Sequence, residues 1–433
     1  MDDATLPLTA RPGPTHGPSL RRLRTWQAAI LVLAVLVHLS LLVSWRTGLW
    51  NRFTFDSVAT GGWRGWDFFA LYQAGRNVLD GVSAYESDNE RIGVVVPRYT
   101  PFRYLPISAY TVGVALNAVS PLWAFRMWVG FEEVLLLGCA YLSWRRARDA
   151  TGAVLAAAMW LAFAPYYLEI YLGQFSVVQA ALVYLALVAW GDRRRDAAAG
   201  APWIASVLWK QNTALLAPVF LRLGRWKTLL AAGLAVAITS APYFLLYPEA
   251  LGAFLGNFRA DAPGAMLGNL GVRQWLYAAA SALAPGLSVA GHEALQAAWM
   301  ALVVGAALYL TFRRRADAVL LACLWMTTYF LVYHHVWEHH YVMALPVLVT
   351  LYRRARSPLT LAIWALLAVW TPYVLIDPAG LAFYHAPMRW TPLDPPLLDV
   401  AYHAVKALPI LALWGQVAWW IVRRPAQAEE GRA

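Results

Sequence analysis

The chain has 433 residues, 60% of them hydrophobic and only 14% charged, where a soluble globular chain carries about 25% charged and 45–50% apolar residues. That balance excludes an ordinary soluble enzyme and points to an all-α protein that crosses a membrane many times. The net charge of +11 sits in arginine clusters at the edges of apolar blocks, not in one basic stripe, which excludes nucleic acid as the partner.

Residues 1–20, rich in Pro, Thr and Gly, read as a disordered cytoplasmic tail, and residues 425–433 read the same way. Between them, 21–424 form one membrane domain, with no soluble domain expected at either end. The run from Trp26 to Ser44 is long enough to cross the hydrocarbon core. It is too long for a signal-peptide h-region, and no small-residue cleavage site follows. Basic clusters mark the cytoplasmic face: Arg21-Arg22-Arg24, Arg145-Arg146-Arg148, Arg193 to Arg195, Arg222 with Arg225 and Lys227, Arg313 to Arg315, Arg353-Arg354-Arg356, and Arg423-Arg424. Holding each cluster inside predicts spans near 26–45, 122–144, 153–169, 175–191, 227–247, 293–312, 318–333, 336–352, 358–376 and 403–422. That makes about ten crossings, with both termini cytoplasmic.

Three apolar stretches remain, at 105–119, 201–221 and 275–290. The first and last are expected to lie against the outer side. The middle one lies between two inside clusters and carries Lys210-Gln211-Asn212 at its centre. A lone ammonium at mid-bilayer costs about 3 kcal/mol or more, so this stretch is expected to dip in and return, with Lys210 facing the inner half, structural or in contact with inner-leaflet headgroups and not catalytic. The long connections 46–104, 248–292 and 377–402 then all face outside, and the chemistry is expected there. Cys139 and Cys323 fall in apolar blocks, and no disulfide is expected.

In the first outer loop, apolar residues recur at helical spacing from Phe68 through Leu71, Tyr72, Gly75 and Leu79. Trp63, Trp66, Phe69 and Tyr72 suit the headgroup layer, which predicts a helix lying in the outer interface. Asp67 opens that helix. It reads either as a partly desolvated carboxylate suited to general-base work or as the helix cap. Arg103, among the aromatics of Tyr99 to Tyr104, reads as a fork for a lipid phosphate or as an interfacial anchor. The outward turn 164–174 holds Gln174, which reads either as a hydrogen bonder for sugar or phosphate or as a polar group merely held near the membrane. The segment His334-His335-Val336-Trp337-Glu338-His339-His340 offers imidazoles to a phosphate, or is a solvated turn. It lacks the HExxH pattern, and no metal site is expected.

In order and spacing, these pieces resemble glycosyltransferase family 87, once called domain-of-unknown-function family 2029. The matching residues are Asp67 to Arg76 with Leu79-Asp80-Gly81 and Tyr85, then Phe102 to Pro106, Gly173-Gln174, Lys210-Gln211, and His340-Tyr341 before Pro346. They run from about 60 to 350, and their order carries the signal more than any single motif does. Three places depart from the family pattern: Tyr104-Leu105-Pro106 stands where Tyr-Pro-Pro is frequent, Asn269-Leu270-Gly271 where Asn-x-Ser is, and the tryptophan before the His-Tyr pair is displaced by one residue.

The resemblance implies a GT-C-like helical membrane fold. It implies transfer of a hexose, as in the family's polyprenyl-phosphate-mannose-dependent mannosyltransferases, from a polyprenyl-phosphate donor to a hydroxyl of a lipid or glycan acceptor. Inversion would follow, at the periplasmic or exterior face of the plasma (inner) membrane, among membrane lipids. By the same resemblance Asp67 is the general base, and His340, His339, Arg103 and Arg273 hold the donor phosphate. Tyr72, Gln174 and Asn269 contact substrate, and no cofactor is implied. The competing reading is a transporter or flippase for a lipid-linked saccharide. Such a protein would line a mid-depth path with ionisable groups, whereas here they gather in the outer connections, with Lys210 the main exception.

Overall fold

The computed structural model describes residues 23–54, 64–192, 198–256, 268–371 and 395–423. The two tails, Trp63, Arg193 to Arg195 and most of the 377–402 connection lie outside the described residues. Among those described, every regular element is helical. In chain order they are α1 (Thr25–Thr47), α2 (Trp66–Leu79), α3 (Pro106–Leu116), α4 (Pro121–Arg145), α5 (Ala150–Leu161), α6 (Tyr166–Leu172), α7 (Ser176–Gly191), α8 (Gly200–Trp209), α9 (Ala217–Arg222), α10 (Trp226–Leu246), α11 (Pro248–Gly256), α12 (Val272–Leu283), α13 (Val289–Arg313), α14 (Ala318–Val332), α15 (Leu345–Ala355), α16 (Pro358–Ala368) and α17 (Pro396–Arg423).

Local chemistry sets many of these boundaries. Pro121, Pro358 and Pro396 open their helices, where a missing N–H costs nothing. The carboxylates of Asp149 and Asp317 cap α5 and α14 by accepting from Gly152 N at 2.8 Å and Leu320 N at 3.1 Å. Gly48, at φ 75°, ends α1.

By length and composition, α1, α10, α13 and α17 are long and apolar enough to cross a membrane. Two further pairs qualify if each is one broken span: α3 with α4, bent by 113°, and α5 with α6, bent by 41°. The segments expected at 175–191, 318–333 and 358–376 are shorter apolar helices, the last described only as far as Thr371. The one expected at 336–352 starts as a 3-10 turn, Glu338–Ala344, before α15. The outward faces of α1, α4, α10 and α13 expose Leu33, Leu36, Val134, Leu230, Ile238 and Leu302, the pattern of a multi-pass membrane protein. Helices α7, α14 and α15 are buried almost all round and form the centre.

The connections carrying arginine meet at one end of the bundle. Arg356 pairs with Asp149 at 2.7 Å and Arg354 with Asp317 at 2.9 Å, while Arg222 Nε donates to Thr311 O at 3.1 Å. From that end α8 rises to Lys210, and the chain then doubles back through a 3-10 turn, Gln211–Leu216, into α9. Trp203 Nε1 donates to Thr213 O and Ser206 Oγ to Thr213 Oγ1, both at 2.9 Å, closing the hairpin.

Helix α2 is buried on more than the apolar stripe that its spacing predicts, because Gln73 and Asn77 are buried along with its apolar residues. The 80–95 segment covers them. Gln73 Nε2 donates to Gly93 O at 3.0 Å, Val95 N donates to Gln73 Oε1 at 2.9 Å, and Asn77 Nδ2 donates to Glu86 O at 3.0 Å. Its other side crosses α3 with no side chain between the backbones: a Cβ on Gly75 would stand 2.1 Å from the Gly113 carbonyl carbon. Gly75→Ala is therefore expected to destabilise the fold by about 1–3 kcal/mol, the usual range for overpacking. Thermal unfolding in detergent should show it, with Gly130→Ala, which meets nothing within 4 Å, close to wild type.

Candidate functional site

Gly65, at φ 75°, turns the chain into α2 and donates its N–H to Tyr171 O at 2.8 Å. A side chain here would collide with Phe69, so glycine is required both sterically and conformationally. Asp67 is the second residue of α2. The capping position belongs to Gly65, and no side chain caps this end; of the two readings of Asp67, the cap is corrected. Its carboxylate accepts from Thr100 Oγ1 at 2.8 Å and from Gln174 Nε2 at 2.6 Å. In the first helical turn it also meets the positive end of the α2 dipole.

Gln174 reaches Asp67 because α6 stops at Gly173, whose φ is 64°. A Cβ there would stand 2.5 Å from Phe68 Cβ. Gln174 N then bonds Glu169 O at 2.9 Å, and Trp128 Nε1 bonds Gln174 O at 3.2 Å. Glu169 is fully buried and accepts from the first amides of α7, Ser176 N and Val177 N, as an anion does at a helix N-terminus. Beneath these groups Phe68, Trp128, Phe175 and Trp209 pack ring on ring, with Trp128 and Trp209 stacked at 5.7 Å.

Lys210 is the largest correction to the sequence reading. It tips the α8–α9 hairpin and does not face inner-leaflet headgroups. Its ammonium lies within electrostatic reach of Glu169, Asp67, His339 and His340. Gln179 Nε2 fixes the tip by bonding Lys210 O at 2.8 Å together with Asn212 Oδ1, and Trp209 Nε1 bonds Phe175 O at 3.2 Å. The ammonium itself reaches only Ser176 Oγ, at 3.5 Å, and among the described residues it makes no ion pair.

His339 and His340 stand 4.4 Å apart, ring to ring, and both are buried. His340 Nδ1 accepts from Trp337 N at 3.1 Å, which leaves Nε2 to carry the proton of a neutral ring. His339 Nε2 has no partner among the described residues. Arg103 is exposed on the neighbouring segment and makes no ion pair among the described residues; its guanidinium acts on Tyr104 and Tyr333. Burial, then the Asp67 charge, pushes the Tyr104 hydroxyl well above the usual tyrosine range, so Tyr104 stays neutral beside the carboxylate.

Three expected site residues are committed elsewhere. Tyr72 Oη donates to Val119 O at 2.7 Å, and its ring packs on Phe68 and Phe69. Asn269 clamps the histidine segment, donating to His334 O at 2.6 Å and accepting from Val336 N at 3.0 Å. Arg273 forks onto Gln296 Oε1 and reaches Val332 O at 3.4 Å. Thr100, Glu169 and Tyr333 join the site without having been expected in it. Thr100 carried no signal beyond its place in an aromatic segment. Among the described residues no group of three or more His, Cys, Asp or Glu side chains is arranged to hold a metal ion.

The helical bundle thus gathers a carboxylate held by two hydrogen bonds and two buried imidazoles within electrostatic reach of one ammonium. The model of glycosyltransferase family 87 matches residues 102–333, more than half of the chain, and the chain belongs to that family. The match takes in Arg103, Gln174 and Lys210, while Asp67 and the two histidines flank it. Among solved structures, the chain is similar to the crystal structure of ArnT from Cupriavidus metallidurans bound to undecaprenyl phosphate, at 16% identity and a TM-score of 0.42, over 93% of this chain and 78% of that one. No curated protein matches the chain.

Gln174→Leu removes a donor from Asp67 while keeping the side chain's bulk. A hydrogen bond to a charged group contributes about 1.5–3 kcal/mol, so glycosyl transfer is expected to fall roughly 10- to 100-fold, with a lower melting temperature in detergent because the carboxylate loses one of its two donors. Initial rates and a melting curve on the same preparation check this.

Proposed function

We propose that this glycosyltransferase moves a hexose, mannose by family resemblance, from a polyprenyl-phosphate donor to a hydroxyl of a lipid or glycan acceptor. Asp67 takes the acceptor's proton as its oxygen attacks the anomeric carbon from the face opposite the phosphate. The bond from that carbon to the phosphate oxygen breaks, the electron pair leaves with polyprenyl phosphate, and the configuration inverts. Lys210, His340, His339 and Arg103 meet the charge that develops on the leaving phosphate, where fixed cations and N–H donors act most strongly.

The observation that carries this reading is the carboxylate of Asp67, fixed by Thr100 and Gln174 within electrostatic reach of the Lys210 ammonium, which makes no ion pair among the described residues. Cations gathered inside a bundle with an apolar exterior suit a phosphate whose tail stays in lipid. We further propose that the arginine-bearing end is cytoplasmic, by the positive-inside rule. The Asp67 end then faces the periplasm or exterior from the inner membrane, and both termini lie inside. Family membership favours an enzyme over the transporter reading.

The test uses purified protein, radiolabelled polyprenyl-phosphate mannose and extracted membrane lipids. Asp67→Asn is expected to lower transfer about 10²- to 10⁴-fold, the usual contribution of a general base. Lys210→Met should lower it about 10²-fold, as loss of one charge-stabilising donor does. Equal transfer by Asp67→Asn and wild type would remove Asp67 as the base. Donor binding without transfer by the wild type would favour the transporter.

A further inference from the structure

Lys406 stands within the apolar helix α17, fully buried, where a charge is expensive unless it is paired. Its ammonium donates to Leu367 O at 2.9 Å and to Val369 O, at the end of α16, and lies 3.4 Å from Glu338 Oε1. Those carbonyls are among the groups a helix leaves unsatisfied at its C-terminus, where a cation is favoured. The same Glu338 oxygen accepts from Thr371 N at 2.7 Å and Thr371 Oγ1 at 3.0 Å. One ion pair thus ties together α17, the chain leaving α16, and the 3-10 turn Glu338–Ala344.

Glu338 directly precedes His339 and His340. Among the described residues neither imidazole is anchored to a side chain: His340 bonds the Trp337 amide through Nδ1 and also the His335 backbone, and His339 Nε2 has no partner. Where the two rings point is therefore set by the backbone of this turn, and the turn is held at its first residue by Glu338. A buried ion pair is poor evidence for stability, because well-packed apolar residues often do as well or better. What a pair offers that apolar packing does not is a defined position.

We propose that Lys406 is a positioning residue that acts through Glu338 to hold His339 and His340 at the phosphate side of the site. The inference rests on the role given to those histidines above. It concerns groups well removed in sequence from Asp67.

The test compares full-length wild type with Glu338→Gln/Lys406→Met, which removes both charges together and so leaves no lone charge buried. Thr371→Val accompanies it as a milder, nearly isosteric change at the same anchor. Two readouts are taken on folded protein in detergent. The first is diethyl pyrocarbonate modification of His339 and His340, mapped by mass spectrometry with His292 as the internal reference. The second is kcat and KM for the polyprenyl-phosphate mannose donor. The double variant is expected to modify faster at both histidines. Its donor kcat/KM should fall by up to about 100-fold, since a small misplacement of binding groups can cost that much. Thr371→Val should move both readouts in the same direction and less.

Wild-type modification rates and wild-type donor kinetics in the double variant would overturn the proposal. If the double variant does not fold, wild-type values for Thr371→Val would overturn it instead. Faster modification with unchanged transfer would uphold the positioning by Lys406 and remove the two histidines from the phosphate site. Failure of this inference is thereby kept apart from failure of the functional reading.

Discussion

The hydrogen bond from Gln174 to Asp67 joins the start of α2 to the turn between α6 and α7, beside the bond from Gly65 N to Tyr171 O. It exists because Gly173 can take a positive φ, and because nothing larger fits against Phe68. In water such a bond would compete with solvent and contribute modestly. In a bundle with an apolar exterior, a carboxylate without donors would be costly, and the fold answers by supplying two. Glu169 follows the same rule a turn away, drawing its donors from the first amides of α7. These two carboxylates, Asp67 and Glu169, each meet two donors.

The site draws on chain segments far apart in sequence, and each is fixed by a different device. Asp67 rides on a helix that crosses α3 at glycines. Lys210 is carried by a hairpin whose tip Gln179 holds. The histidines follow an asparagine clamp at Asn269 on one side and the Glu338 anchor on the other. Three of these residues, Gln179, Asn269 and Glu338, are buried and polar in a chain rich in apolar side chains, and each spends its hydrogen bonds on placing a neighbour.

Much of this was legible in the residues alone, for physical reasons. Runs of apolar residues the length of a crossing mark helices, and arginines after them mark one end; the pairs of Arg354 with Asp317 and Arg356 with Asp149 gather those ends together. The hairpin at 201–221 followed from charge placement and reads true in its doubling back. Its depth did not follow, because no periodicity tells how far a hairpin reaches or what its tip will meet. The pairing of Lys210-Gln211 with the other family pieces was the available hint. Burial of α2 was hidden for a related reason: Gln73 and Asn77 look like a wet face until a later segment, 80–95, folds over them. Asn269, Tyr72 and Arg273 sit in the right neighbourhood, yet their polar atoms go to backbone carbonyls, amides and a glutamine, which residue type cannot announce.

The doubled-back segment has a consequence for how the site keeps its dimensions. Its feet stand at the arginine end, where Arg222 grips Thr311 and Gly200 abuts Thr228. The ten residues of α8, at 1.5 Å each, span about 15 Å. The arm is a ruler: it measures a fixed height from one end of the bundle and sets down a single positive charge there. One residue more or fewer would raise or lower that charge by about 1.5 Å and swing it roughly 100° about the arm. Spacing along this arm is therefore held by geometry more tightly than the identity of the apolar residues that compose it.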